Sequence, residues 1–266
     1  MKKKEEINQL DKLWKNMKKP LKAFLASGNQ EDLHQFRVNV KKLKALLTLY
    51  AFAPDSKDLL THFKPVKKIF RKAGDIRSAY INLKLAKEHQ LNNQEFNDHQ
   101  QQILDKGTGE FKKKGSKYLK QLKKAHIALQ NNIQPLQNRT IRHFYKDKIT
   151  QIESFFANPA FNDELHNARK NIKLLTYNQK VAAKALKNKV AVKQSYLDQL
   201  QEIIGNWHDH NVAIEVLDGT GKAGDNAINN IKASNAGLEK TITEQGNNFR
   251  EKVSAGKEIP VKNQPQ

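Results

Sequence analysis

The chain has 266 residues, with 48 lysines and arginines against 27 aspartates and glutamates, and no cysteine. The missing cysteine excludes disulfides, zinc–thiolate sites and a thiol nucleophile. No stretch approaches the ~20 apolar residues that cross a bilayer. The opening Met1-Lys2-Lys3-Lys4-Glu5-Glu6 lacks the apolar core of a signal peptide, so a cytoplasmic protein with no membrane partner is expected.

Apolar residues recur at helical spacing almost throughout and no alternating strand pattern persists, which predicts an all-α fold. The periodicity places helices at residues 4–27, 31–52, 55–73, 75–90 and 95–130. A second set follows at residues 137–157, 162–182, 187–204, 206–218 and 225–254. Ser27-Gly28-Asn29, Ala53-Pro54-Asp55, Asn158-Pro159 and Asp218-Gly219-Thr220-Gly221 punctuate them. Pro20 is expected to kink or split the first helix. Residues 258–266 read as a frayed tail.

An internal repeat organises the chain. Leu33-His34-Gln35-Phe36-Arg37 matches Leu165-His166-Asn167-Ala168-Arg169 at an offset of 132 residues (166 − 34), and Lys41 matches Lys173 at the same offset. Gly74-Asp75-Ile76-Arg77 follows the first copy and Gly205-Asn206-Trp207-His208 the second, in the same order and at nearly the same distance. So long a period excludes a solenoid and predicts two tandem, pseudo-symmetric helical bundles, residues 1–131 and 132–257.

Charge is unequal between them. Residues 1–131 hold 29 basic against 13 acidic residues, and residues 132–266 hold 19 against 14. Such a surplus repels itself unless a polyanion neutralises it: nucleic acid, an acidic membrane surface or polyphosphate. In the helix at 31–52, Leu33, Phe36, Val40, Leu43 and Leu47 form a core stripe. His34, Arg37, Lys41 and Lys44 form a second line on its shoulder, about 100° away. His166, Arg169 and Lys173, with Lys180 one turn beyond Thr176, repeat that line beside Leu165, Ala168, Ile172 and Leu175. Like charges stacked at i,i+3 and i,i+4 repel, a cost that an anion between them removes. Arg offers a rigid fork to phosphoryl oxygens, Lys a point charge, and His a donor whose charge grows as pH falls. Lys64, Lys67, Lys68 and Arg71 add a further basic face, and Arg77 is placed at the opening of the next helix.

These residues resemble the conserved-histidine α-helical domain family, CHAD. Its mark is Leu-His-x-x-Arg-x-x-x-basic-basic-x-basic, here Leu33, His34, Arg37, Lys41, Lys42 and Lys44. A second copy reads His166, Arg169, Lys173 and Tyr177, and each copy precedes a Gly-x-x-(Arg or His)-Asp signature, seen at Gly74 to Arg77 and at Gly205 to Asp209. Ser78 stands where the first signature usually has Asp, and Leu174 and Thr176 where the second copy usually has basic residues. The resemblance implies a basic central channel, lined by these side chains, that binds inorganic polyphosphate. It also implies an association with polyphosphate granules. Lys180 is expected to replace the cation missing at Thr176, which matches Lys44, and to extend the phosphate track by ~6 Å.

Other motifs carry less. In Trp207-His208-Asp209-His210 the two histidines diverge by about 200° on a helix, so no metal site is expected, and His208 reads as a phosphate donor equivalent to Arg77. Asp75 and Asp209 are expected to stabilise helix N-termini or to orient nearby cations. The run Lys112-Lys113-Lys114 with Lys117, Lys120, Lys123 and Lys124 reads as a solvated helix face, with docking of a long polyanion as the alternative. No phosphate-cradling glycine loop, nucleophile elbow or paired-histidine zinc helix occurs, so the chain is expected to be no enzyme and to need no cofactor. The competing expectation is a general nucleic-acid-binding protein. Against it, only 8% of residues are aromatic and none interleaves the stripes as a base-stacking platform would require.

Overall fold

The computed structural model describes residues 3–56, 58–90, 93–187, 192–218 and 222–254. They form an all-α protein. In order the helices are α1 (Lys3–Ser27), α2 (Gln30–Tyr50), α3 (Leu59–His62), α4 (Lys64–Glu88), α5 (Gln94–Lys113) and α6 (Gly115–Asn132). Then come α7 (Asn138–Ala157), α8 (Asp163–Ala185), α9 (Gln194–Leu217), α10 (Lys222–Gly246) and α11 (Phe249–Val253). No described helix is long and apolar enough to cross a membrane. The expected tail at 258–266 lies outside the described residues.

Two compact units divide the chain: residues 1–135 with 210–233, and residues 136–209 with 234–266. In the first, α1 buries Leu10, Trp14, Met17, Leu21 and Phe24, a stripe of alternating spacings of 4 and 3 that makes it helical. Pro20 does not split it. Proline removes one backbone donor, but the stripe on either side stays buried and holds the helix together. Gly28, at φ 80°, ends α1 by donating its N–H to the Phe24 carbonyl at 2.7 Å. Asn29 caps α2, its side chain accepting from Glu31 N at 2.8 Å and Asp32 N at 3.4 Å. Leu33, Phe36, Val40, Leu43 and Leu47 are all buried, as their spacing predicts. Each large side chain of this kind contributes roughly 1.5–3 kcal/mol.

Several expected helix boundaries differ. No break occurs at Gly74: α4 runs through Gly74-Asp75 without interruption, so Arg77 and Asp75 lie in mid-helix and neither stands at a helix N-terminus. Gly205 and Asp209 likewise lie inside the unbroken α9. Glycine lowers helix propensity by only ~1 kcal/mol, and tertiary packing overrides that. Conversely, the single helix expected at 95–130 is two, meeting at Lys114. There Gly115 lets α6 close on α1, since a Cβ on it would stand 2.9 Å from Leu25 Cδ2. The helix expected at 225–254 breaks at Asn248, whose φ of 53° is left-handed.

The remainder of the first unit is a second apolar cluster, in which Ala213, Leu217, Ile228 and Ile231 pack with Ala86, flanked by Phe96. In the second unit, Tyr145 ties α7 to α8 by donating to the Leu175 carbonyl at 3.0 Å. Tyr196 donates to the Gln245 carbonyl at 2.7 Å, joining α9 to α10. Phe156 and Phe249 pack at 5.7 Å, and Arg250 Nε donates to Glu153 Oε1 at 2.8 Å, which fixes α11 on α7.

Candidate anion-binding site

The site begins with how each repeat holds its arginine. Arg37 leans from α2 onto α4, where Nη1 donates to the Phe70 carbonyl at 2.8 Å and the guanidinium lies 4.3 Å over the Phe70 ring. That carbonyl belongs to the residue four before Gly74. Arg169 leans from α8 onto α9, and its Nε donates at 3.2 Å to the carbonyl of Gln201, the residue four before Gly205. In both repeats the glycine lies under the guanidinium. A Cβ on Gly74 would stand 2.7 Å from Arg37 Nη1, and one on Gly205 would be nearer still to Arg169 Nη2. One edge of each fork is thus fixed on a helix backbone, and the remaining N–H groups are held in a set orientation.

Around Arg37 the structure gathers His34, Lys41 and Arg77. Arg77 donates to the Gln30 carbonyl at 3.3 Å and lies 4.9 Å over the Tyr80 ring. Burial, then Arg77, then Lys41 and Arg37 push the His34 pKa down, with Glu31 opposing. Burial and Arg77 also lower Arg37, while Asp75 favours its charge. Arginine stays protonated under such shifts, so this is a half-buried cluster of cations that destabilise one another. A phosphate oxygen among them would relieve that repulsion.

The second repeat brings together His166, Arg169 and His208. The His166 and His208 rings stand 5.2 Å apart at 52°, so His208 takes the place beside the repeat histidine that Arg77 takes in the first. Burial lowers His166, followed by Lys170, His208 and Arg169, with Asp163 opposing. Burial lowers Arg169 as well, against Asp209 and Tyr177. Asp75 and Asp209 therefore each favour the charge of the arginine of their repeat, and neither stands at a helix N-terminus.

The expected lysines lie along α2 and α8. Lys41 and Lys44 are exposed along α2, Lys173 is half-buried on α8, and Lys180 is exposed farther along α8. Arg71 is exposed on α4, about 120° round the helix from Arg77, and so stands on another face. Lys170 is a residue the stripe reading passed over. It follows His166 by one turn, is the largest electrostatic influence on that ring, and donates to Asn167 Oδ1 at 3.1 Å. Its i,i+4 spacing from His166 was the available signal. Among the described residues no group of three or more His, Cys, Asp or Glu side chains could hold a metal ion.

A family model described as CHAD domain matches residues 8–218. No curated protein matches the chain. Among solved structures it is similar to the crystal structure of the CHAD domain from the plant Ricinus communis. The two share 16% identity and a TM-score of 0.64, over 90% of this chain and 89% of that one. At that identity the likeness speaks to the fold.

Proposed function

Because the chain belongs to the CHAD domain family, we propose that it binds inorganic polyphosphate without turning it over. The observation that carries the reading is the matched construction of two cation clusters. In each repeat an arginine is clamped to the carbonyl four residues before a glycine, beside a histidine of depressed pKa and a third cationic or ionisable group. Pre-oriented, partly desolvated donors suit a ligand made of many equivalent phosphoryl oxygens. In the finer form of the proposal both stripes, His34, Arg37, Lys41, Lys44 and Arg77 with His166, Arg169, Lys173, Lys180 and His208, line one channel. A chain long enough to reach both then binds more tightly than its short fragments.

The test is competition at physiological salt, with labelled short polyphosphate challenged by duplex DNA and single-stranded RNA at equal phosphate concentration. Polyphosphate is expected to stay bound, and Arg37→Ala and Arg169→Ala each to weaken it tenfold or more, since a charge-assisted hydrogen bond is worth about 1.5–3 kcal/mol. Displacement by either nucleic acid overturns the reading in favour of general nucleic-acid binding. Phosphate release that follows the purified protein and is lost in Arg37→Ala overturns its non-enzymatic part.

A further inference from the structure

The first unit carries a second concentration of charge, on helices other than α2. Residues 12–27 of α1 hold five lysines and residues 115–132, the whole of α6, hold four; neither segment contains an aspartate or glutamate. The two helices lie side by side and antiparallel. Near one end His126 Nε2 and Gln130 Nε2 each meet Asp11 Oδ1 at 2.7 Å, and Trp14 stacks on His126 at 4.6 Å. Near the other, Leu25 fits against Gly115. Asp11, which directly precedes the lysine-rich segment of α1, is thereby occupied by the seam.

Lys15 and Lys22 stand about 120–140° from the buried stripe of α1, and Lys120 and Lys123 are on the exposed side of α6. None of these four forms an ion pair among the described residues. Helices in contact lie about 8–10 Å apart, so the lysines form a sheet of cations at least two rows wide and ~15 Å long. A single-file polyphosphate thread matches one stripe, whereas a surface two rows wide matches a broad anion.

We infer that this α1/α6 face docks the phosphate backbone of a nucleic-acid duplex, as a surface separate from the clusters built on Arg37 and Arg169. A duplex presents a phosphate about every 1.7 Å of axis, so roughly four or five face the protein over ~15 Å, fewer than the lysines available. Lysine supplies point charges without the fork that reads base edges, so the docking is indifferent to sequence. Single strands require exposed aromatic rings to stack on, but Trp14 is 4% exposed and covered by His126, and Tyr118 packs against Phe111. A bilayer requires apolar side chains to enter it, and Ile127 is the one large apolar side chain exposed on α1 or α6 among the described residues.

The experiment measures binding of a short labelled DNA duplex to the full chain across a salt series. The quadruple variant Lys15→Gln, Lys22→Gln, Lys120→Gln, Lys123→Gln is expected to weaken binding at least tenfold. It is also expected to flatten the slope of log K against log salt by about 3–4, since each neutralised phosphate contributes ~0.9. An equal charge change at exposed lysines elsewhere, Lys146→Gln, Lys187→Gln, Lys232→Gln, Lys240→Gln, is expected to have a much smaller effect. Arg37→Ala with Arg169→Ala leaves duplex binding intact, and short polyphosphate does not displace the duplex. Equal loss in the two quadruple variants, or displacement by short polyphosphate, overturns the assignment. So does preferential binding to phosphatidylserine vesicles that the α1/α6 variant abolishes, which makes the face a membrane-docking surface. The polyphosphate proposal fails separately, if the polymer does not bind while duplex binding still depends on the four lysines.

Discussion

Gly74 lies beneath the guanidinium of Arg37, so close that a methyl group in place of its hydrogen would stand 2.7 Å from Nη1. Glycine in mid-helix costs about 1 kcal/mol relative to alanine, and here the space it leaves is filled by a cation. Gly74→Ala alone is expected to displace Arg37, lower polyphosphate affinity and leave stability unchanged or reduced. In an Arg37→Ala background the same substitution should stabilise the protein by about 1 kcal/mol. Denaturant unfolding of the four proteins gives the answer, and an equal gain in both backgrounds would show that the contact constrains nothing. Gly205 and Arg169 are expected to behave alike.

His208 occupies in the second repeat the place that Arg77 occupies in the first. His208→Arg should therefore raise polyphosphate affinity at pH 7.5, because a guanidinium is charged throughout the working pH range and offers a fork of donors to phosphoryl oxygens. A gain of about 3–10-fold is expected, in line with one added charge-assisted contact. Titration calorimetry would detect it, and no change would separate His208 from the ligand.

Burial holds both His34 and His166 below the ordinary histidine value, with Arg77 next for the first and Lys170 next for the second. A group depressed by folding contributes stability that is complete above its unfolded pKa, near 6.5, and lost as pH falls through its folded value. The free protein should lose thermal stability between pH 7.5 and 5.5, less so with both histidines replaced by alanine. Polyphosphate is expected to invert the trend, because an anion bound beside the two histidines would raise both pKa values and take up protons. Affinity should thus grow as pH falls, and calorimetry in buffers of different ionisation heat should register the uptake. Proton release on binding would contradict this account.

Lys170 and Lys180 stand about 40° to either side of His166 around α8, one turn and nearly four turns from it. Each changed to Thr should cost polyphosphate affinity, Lys170 the more because it acts directly on His166. Lys146→Thr, an equal change of charge on α7, serves as the comparison. If Lys180→Thr falls no further than Lys146→Thr, Lys180 does not extend the phosphate track.

Periodicity was a sufficient guide to the helices because each buries a stripe whose spacing admits one geometry, as Leu10 to Phe24 and Leu33 to Leu47 do. The histidine and arginine of each cluster were legible from their recurrence. Gly74 and Gly205 were misread as breaks because propensity is local. Their reason is an arginine 37 and 36 positions earlier in the chain (74 − 37, 205 − 169), which no window of neighbouring residues contains. Periodicity is equally silent about neighbours. It marks Ala213 and Leu217 as a buried face, but not that Ala86 is what they cover.

That last contact bears on how the chain can be divided. A fragment ending at Pro135 carries the complete first basic stripe, yet lacks residues 210–233, which complete the compact unit around Ala86. Expressed alone, it would present a bare apolar surface where α9 and α10 belong, and is expected to aggregate or to recruit a substitute helix. The earlier sequence repeat thus rests on residues that lie beyond the start of the later one, and a cut between the two leaves the first unit incomplete.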